Sequence, residues 1–191
     1  MNRLGLLYKS ELNDDAKRLA NKFDLFDKSR PGKKSIRQQD GRFIGPFGVQ
    51  LHTPILGEHL IEVANSLAQL PGLDFKNREI AIVTTGVKFN AAFELLAHTR
   101  HALRAGVTQA EIDAILRGER PDTFDDHAKA AYDVAHELVN RPGPLSEEQW
   151  ARAVELFGKE GATALIHFVA FYSSVCVVLN GFDCKIPDGE A

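Results

Sequence analysis

The stretch FNAAFELLAHTRHALRAG, residues 89–106, decides the fold. Its apolar residues recur at helical spacing, Asn90 stands where a side chain can cap the first turn, and Gly106 stands where a left-handed residue commonly ends a helix. On such a helix Glu94 and His98 lie about 6 Å apart along the axis and nearly one full turn around it, so they share a face. A carboxylate beside an imidazole favours the imidazolium and fixes which ring nitrogen carries the proton. As an exposed pair they would do no more than stabilise the helix by roughly 0.2–0.5 kcal/mol. Phe93, Leu95, Leu96 and Ala97 flank them, however, which turns at least one of the two polar groups inward, where it needs a partner.

Helical signals continue on both sides of this stretch. Upstream, LDFKNREIAIVTTGVKF offers Asp74 as a cap and Ile80, Val83 and Val87 in step, although its β-branched residues leave a strand open. Glu79 is the acid within this apolar run, placed either to serve the neighbouring imidazole or to favour the helix dipole near its start. Downstream, TQAE at 108–111 is a capping box opening a short helix that ends at Gly118. Asp125 can cap a helix carrying Ala128, Ala131, Val134, Ala135 and Leu138 on one side, and RPGP breaks it. SEEQ at 146–149 is a second capping box, leading into WARAVELFG and a last helix. Toward the N-terminus, residues 10–23 repeat apolar positions at helical spacing and are followed by a Gly-, Pro- and charge-rich loop, 27–48. Thr53 and Pro54 then start a helix with Leu56, Leu60, Val63, Ala64 and Leu67 as its apolar stripe, stopped by Pro71 and Gly72. Period-two alternation and internal repeats are absent, so the expected architecture is an all-α helical bundle.

Composition narrows the function classes. With 191 residues, 44% hydrophobic and 26% charged, the chain can bury one core plus an extension. A net charge of -3 argues against a nucleic-acid partner, the basic residues of GKK and Arg37 being local. The opening MNRLGLLYKSELNDD lacks the order of a secretory leader or a lipid anchor, so a cytoplasmic location is expected. Cys176 and Cys184 are too few and wrongly spaced for a disulfide scaffold, a zinc site or a Cys-x-x-Cys pair, and read as reduced thiols. Residues 161–179 carry no formal charge and approach the length of a membrane span. Thr163, His167, Tyr172, Ser173 and Ser174 within them point instead to a core or subunit-interface helix surrounded by protein, with no membrane partner.

Among the remaining histidines, His101 can join the neighbourhood of His98, three residues away. His52, His59, His127, His136 and His167 read as solvated or packing residues. Two carboxylates and a histidine suit iron or manganese in a helical bundle, but such centres repeat Glu-x-x-His, and here Glu-x-x-x-His occurs once. No metal and no cofactor is therefore expected. No Gly-x-Ser-x-Gly elbow and no phosphate-binding glycine loop occurs.

The segment REIAIVTTGVKFNAAFELLAHTRHALRAGVTQAEIDAI, residues 78–115, resembles the carboxymuconolactone decarboxylase family, whose superfamily includes the alkylhydroperoxidase-D enzymes. GPFGVQLHTPILGEHL upstream and FYSSVCVVLNGFDCKIP at the end are similar to the longer decarboxylase-like members. The resemblance implies an alkylhydroperoxidase-D-like helical domain over residues 45–187, preceded by an extension over 1–44, and a homo-oligomer of two, three or six chains. In the peroxidase branch a Cys-x-x-Cys pair precedes the histidine, and those positions hold Ala91 and Glu94 here, so the thiol chemistry is missing. The decarboxylase branch reads Tyr-Glu-Trp-x-x-His where this chain has Phe93, Glu94, Leu95 and His98.

That likeness implies a cofactor-independent lyase acting on a small carboxylated lactone or a related intermediate of aromatic catabolism. His98 would be the general acid, Glu94 its orienting partner and Glu79 a relay acid. Arg100, Arg104, Arg42 and His101 are the candidates for binding the small-molecule substrate and its carboxylates. Another proton-transfer reaction, a hydroperoxidase and a non-catalytic binding oligomer are the alternatives.

Overall fold

The computed structural model describes residues 1–28 and 36–186; within them the regular structure is helical, apart from an isolated antiparallel bridge between Arg37 and Phe43. Residues 29–35, with the GKK patch and part of the expected loop, lie outside the described residues, as does position 187, where the expected domain was drawn to end. The chain divides into two compact units, Met1–Ala68 with Val178–Ala191, and Gln69–Val177. The boundary drawn from resemblance at 44/45 falls inside the first of these.

In the first unit, a 3₁₀ turn at Lys9–Glu11 precedes α1, Asp14–Lys28. The turn replaces the earlier helix start expected at residue 10, because Asn13 caps α1 through the amide of Ala16 at 2.8 Å. α2, Gly45–Gln50, and α3, Pro54–Ala68, follow. Phe23 is fully buried and meets Phe43 and Phe47 edge-on, and Leu12, Ala16, Leu19, Leu51 and Ile61 close this core. The stripe expected on α3 is corrected. Gly57, Ile61 and Leu67 face inward, while Leu56 and Val63 are exposed. The stripe turns because Gly57 lets α1 come so close that a Cβ there would sit 2.5 Å from Cδ2 of Leu19.

The second unit is built around α4, Phe75–Phe89, which is a helix throughout and not a strand. Asp74 caps it by accepting from the Asn77 amide at 3.0 Å. α5, Ala92–Arg104, α6, Gln109–Leu116, and α7, Asp126–Asn140, pack against α4, so Glu79 and the run from Ile80 to Gly86 are all buried. Burial on nearly every side explains the weak amphipathic period of this segment. The buried hydroxyls of Thr84 and Thr85 donate back to the carbonyls of Ile80 and Ala81, each at 2.8 Å, and so need no external partner.

Asn90 does not cap α5 as expected. It ends α4 in the left-handed region (φ 47°, ψ 44°), and Ala91 opens α5 without a side-chain cap. Gly106 ends α5 as expected, at φ 93°, with Val107 N–H reaching the Ala102 carbonyl at 3.0 Å. The Thr108 capping box and the Asp125 cap are both formed. The SEEQ box is half formed: the Gln149 amide approaches Ser146 Oγ at 3.4 Å, but the Ser146 amide donates to Glu137 and not to Gln149. α8, Glu147–Gly181, is interrupted at Gly158 (φ 68°, ψ 172°), which separates the two helices expected there. Beyond the break Ala162, Ala164, Leu165, Phe168, Val169 and Cys176 face inward, whereas Thr163, His167, Ala170, Ser174 and Val177 are exposed. In the single chain this helix is therefore covered on one side only, short of the all-round protein contact expected.

Candidate active site

α4 and α5 run on from one another through Asn90, and Gly86 on α4 lets Leu95 of α5 close in. That approach sets the inward face of α5 against Glu79. Glu94, His98 and His101 lie on this face, and all four side chains are buried. The structure thus brings together the three residues expected to act, with His101 beside them.

His98 stands between two carboxylates. Its Nδ1 donates to Glu79 Oε2 at 2.6 Å, and its Nε2 lies 3.0 Å from Glu94 Oε1. The second contact is close but poorly aligned, leaving Glu94 Oε1 buried without a proper hydrogen bond. Burial is the largest influence on His98 and opposes its charge, yet the charges of Glu79 and Glu94, with the hydrogen bond to Glu79, outweigh it and raise the pKa from 6.5 to about 10. The imidazole is consequently a cation at neutral pH. The ring of His101 lies edge-on to it at 5.0 Å, with Nδ1 3.7 Å from the same Glu79 oxygen.

One ligand atom from each of Glu79, His98 and His101 lies within 4.8 Å of the others, which is the donor set of a divalent metal centre. The spacing is nevertheless that of a proton. Two donors held about 2.1 Å from one ion stand about 3 Å or more apart, whereas His98 and Glu79 meet at 2.6 Å.

α8 supplies residues that the sequence reading did not place in the site. The Tyr172 ring is edge-on to His98 at 4.9 Å and lies parallel to Phe168 at 6.2 Å, while the Arg78 guanidinium sits 5.3 Å over Phe168. Arg78 is held there by the carbonyls of Leu70 and Leu73. Cys176, one turn beyond Tyr172, is buried close enough to Glu94 to feel its charge; burial first, then that charge, pushes the thiol up to about 12. The four-residue step from Phe168 through Tyr172 to Cys176 was the available signal for a shared face.

Arg42 belongs to the first unit, where Asp40 binds its Nε and Nη2 at 2.9 and 2.6 Å. Arg104 is exposed in the last turn of α5, and Arg100, two residues after His98, is half-buried. An open groove lined by Arg120, Asp133, His136, Glu137 and Arg141 contains no member of the cluster, and its charges are paired, Arg120 with Asp133 and Arg141 with Glu137.

The model of the carboxymuconolactone decarboxylase family matches residues 54–137, a span that includes Glu79, Glu94, His98 and His101. That part of the chain is similar to the carboxymuconolactone decarboxylase family. Two solved structures share its alkylhydroperoxidase-D-like all-α fold. The alkylhydroperoxidase AhpD core of an uncharacterized peroxidase-related protein from Ralstonia eutropha JMP134 is 17% identical, with 98% of this chain and 93% of that one covered and a TM-score of 0.76. The debrominase Bmp8, as a cysteine-to-alanine variant in complex with 2,3,4-tribromopyrrole, is 14% identical, with 96% and 90% covered and a TM-score of 0.72. Among curated proteins none matches the chain by sequence. Identities this low fix the fold and nothing finer.

Proposed function

We propose that this protein is a member of the carboxymuconolactone decarboxylase family and a cofactor-independent lyase that decarboxylates a small carboxylated lactone or a related intermediate of aromatic catabolism. One observation carries the reading: a buried imidazolium flanked at its two ring nitrogens by Glu79 and Glu94. Loss of carbon dioxide from the γ-carbon of an unsaturated lactone leaves an electron pair that runs through the conjugated ring to the carbonyl oxygen. The His98 cation stabilises that dienolate oxygen, and a proton then returns to carbon. Nε2 is the donating atom, because its proton is not held in an aligned hydrogen bond to Glu94. Glu79 fixes the ring through Nδ1. Tyr172 and Phe168 offer a flat aromatic wall to a planar ring, and Arg78 adds positive charge beside it, in the role first considered for Arg100, Arg104 and Arg42.

A hydroperoxidase fits less well, since Ala91 and Glu94 stand where that branch has its cysteines and Cys176 is a buried, protonated thiol. The debrominase's reaction is not carried over, because that likeness concerns the fold alone. A homo-oligomer of two, three or six chains is part of the proposal, with the uncharged open face of α8 as its contact. Light scattering on wild type and Ala170→Glu tests this: a multimer that the substitution dissociates supports it, and a wild-type monomer refutes it.

The activity is tested by incubating the protein with γ-carboxymuconolactone and following carbon dioxide release, with His98→Asn alongside. Release that disappears in the variant supports the reading. No release from folded wild type rejects this substrate, and turnover unchanged in His98→Asn rejects the assigned acid.

A further inference from the structure

We propose that Glu94 selects the substrate: its buried Oε1 accepts a hydrogen bond from a hydroxyl on the lactone ring, carried by the carbon next to the carbonyl that His98 binds. The inference rests on the reading above and narrows its substrate class to unsaturated lactones with an α-hydroxyl. Its test is binding and not turnover, so a failed decarboxylation assay does not decide it.

The Glu94 side chain is 4% exposed, and its Oε1 has no hydrogen-bond partner among the described residues. A buried acceptor is costly to leave unsatisfied, and an ionised one makes shorter and stronger hydrogen bonds than a neutral one. The neighbouring groups do not supply the donor. The Nε2 proton of His98 is close but out of line with Oε1, and the Nδ1 proton is held by Glu79 on the other side of the ring. The Cys176 thiol lies near enough to feel the Glu94 charge, yet it donates nothing to Oε1. The acid is therefore ready for a donor that the protein itself does not provide.

The spacing says what kind of ligand brings it. Nε2 gives a proton and Oε1 takes one, and the two atoms stand side by side, 3.0 Å apart. A ligand that meets both presents an acceptor and a donor at nearly that separation. A carbonyl oxygen and a hydroxyl on adjacent carbons of a conjugated ring do so, in one plane, the carbonyl accepting from Nε2 while the hydroxyl donates to Oε1. An ether or a carboxylate in the place of the hydroxyl turns a lone pair toward the Glu94 charge. Tyr172, edge-on to His98 at 4.9 Å, and the buried Cys176 beside Glu94 border the two atoms with surface of low polarity, which strengthens both hydrogen bonds.

The test titrates protein labelled with ¹⁵N-histidine with three small lactones and follows the His98 ring resonances by NMR. The probes are α-hydroxybutenolide, its methyl ether and unsubstituted butenolide, the last removing the donor without adding bulk. The hydroxyl compound is expected to bind roughly tenfold or more tightly than either of the others. Glu94→Gln should narrow that preference and Glu94→Leu should abolish it. Equal affinity for the three lactones in wild type, or no shift of the His98 resonances by α-hydroxybutenolide, overturns the proposal, since Oε1 is then satisfied by water alone. A preference that persists in folded Glu94→Leu protein overturns it as well. The wild-type comparison decides by itself should the variants fail to fold.

Discussion

Glu79 Oε2 lies 2.6 Å from Nδ1 of His98 and 3.7 Å from Nδ1 of His101, so one carboxylate oxygen on α4 faces two imidazoles on α5. Glu94 approaches His98 from the other ring nitrogen but makes no aligned hydrogen bond. The two carboxylates are therefore unequal in what they hold. Removing one partner of a buried ion pair costs about 3–5 kcal/mol, because the other charge is stranded. Glu79→Ala is expected to lower stability by about that amount. Glu94→Gln, which removes a charge that helps hold the His98 cation but makes no aligned hydrogen bond to it, is expected to cost less than Glu79→Ala. Urea unfolding of the two variants checks this, and equal losses would contradict the asymmetry.

The raised pKa of His98 makes stability depend on pH. The folded state binds the His98 proton more tightly than the unfolded chain does, so its contribution is fully present below about pH 6.5, the ordinary histidine value. It is lost progressively as pH rises toward the folded value of about 10. The melting temperature should fall across this alkaline window, and His98→Gln should flatten that part of the profile. A wild-type curve with no alkaline decline would show that His98 is not held as a cation.

Much of this arrangement was legible in the sequence because it is local. Glu94, His98 and His101 share a face through spacing within a single helix, and the Thr108 and Asp125 caps are set by residues three apart. Glu79 could be named from the resemblance, but its contact with His98 spans 19 positions and depends on how α4 meets α5. Tyr172, Cys176 and Arg78 were missed as site residues because no spacing within one element relates α8 to α5. On α3, Leu56 and Val63 fit an apolar period yet face outward, since the period alone does not say which side Gly57 opens to α1.

Asn90 fixes the turn between α4 and α5 in a left-handed conformation, at φ 47° and ψ 44°. Asparagine tolerates this region, glycine adopts it freely, and a β-branched residue resists it. Asn90→Gly should therefore be near neutral. Asn90→Val should cost about 1–2 kcal/mol and shift the His98 ring resonances, because the same turn sets Glu79 against His98. A valine variant with wild-type stability would mean that the turn does not constrain the site.

Cys176 separates an acid–base site from a thiol peroxidase. Its side chain is fully buried, and burial together with the charge of Glu94 pushes its pKa up to about 12, so almost no thiolate exists at neutral pH. The thiolate is the form that attacks peroxides and disulfide reagents. Cys184, also raised by burial, to about 11, is only partly covered. Native protein should accordingly react with a disulfide reagent far more slowly than denatured protein, with Cys176 the last thiol to be modified. It should consume no organic hydroperoxide, and Cys176→Ser should leave carbon dioxide release within about twofold of wild type. Peroxide turnover abolished by Cys176→Ser would instead make the thiol the reactive group and reduce His98 to its supporting base.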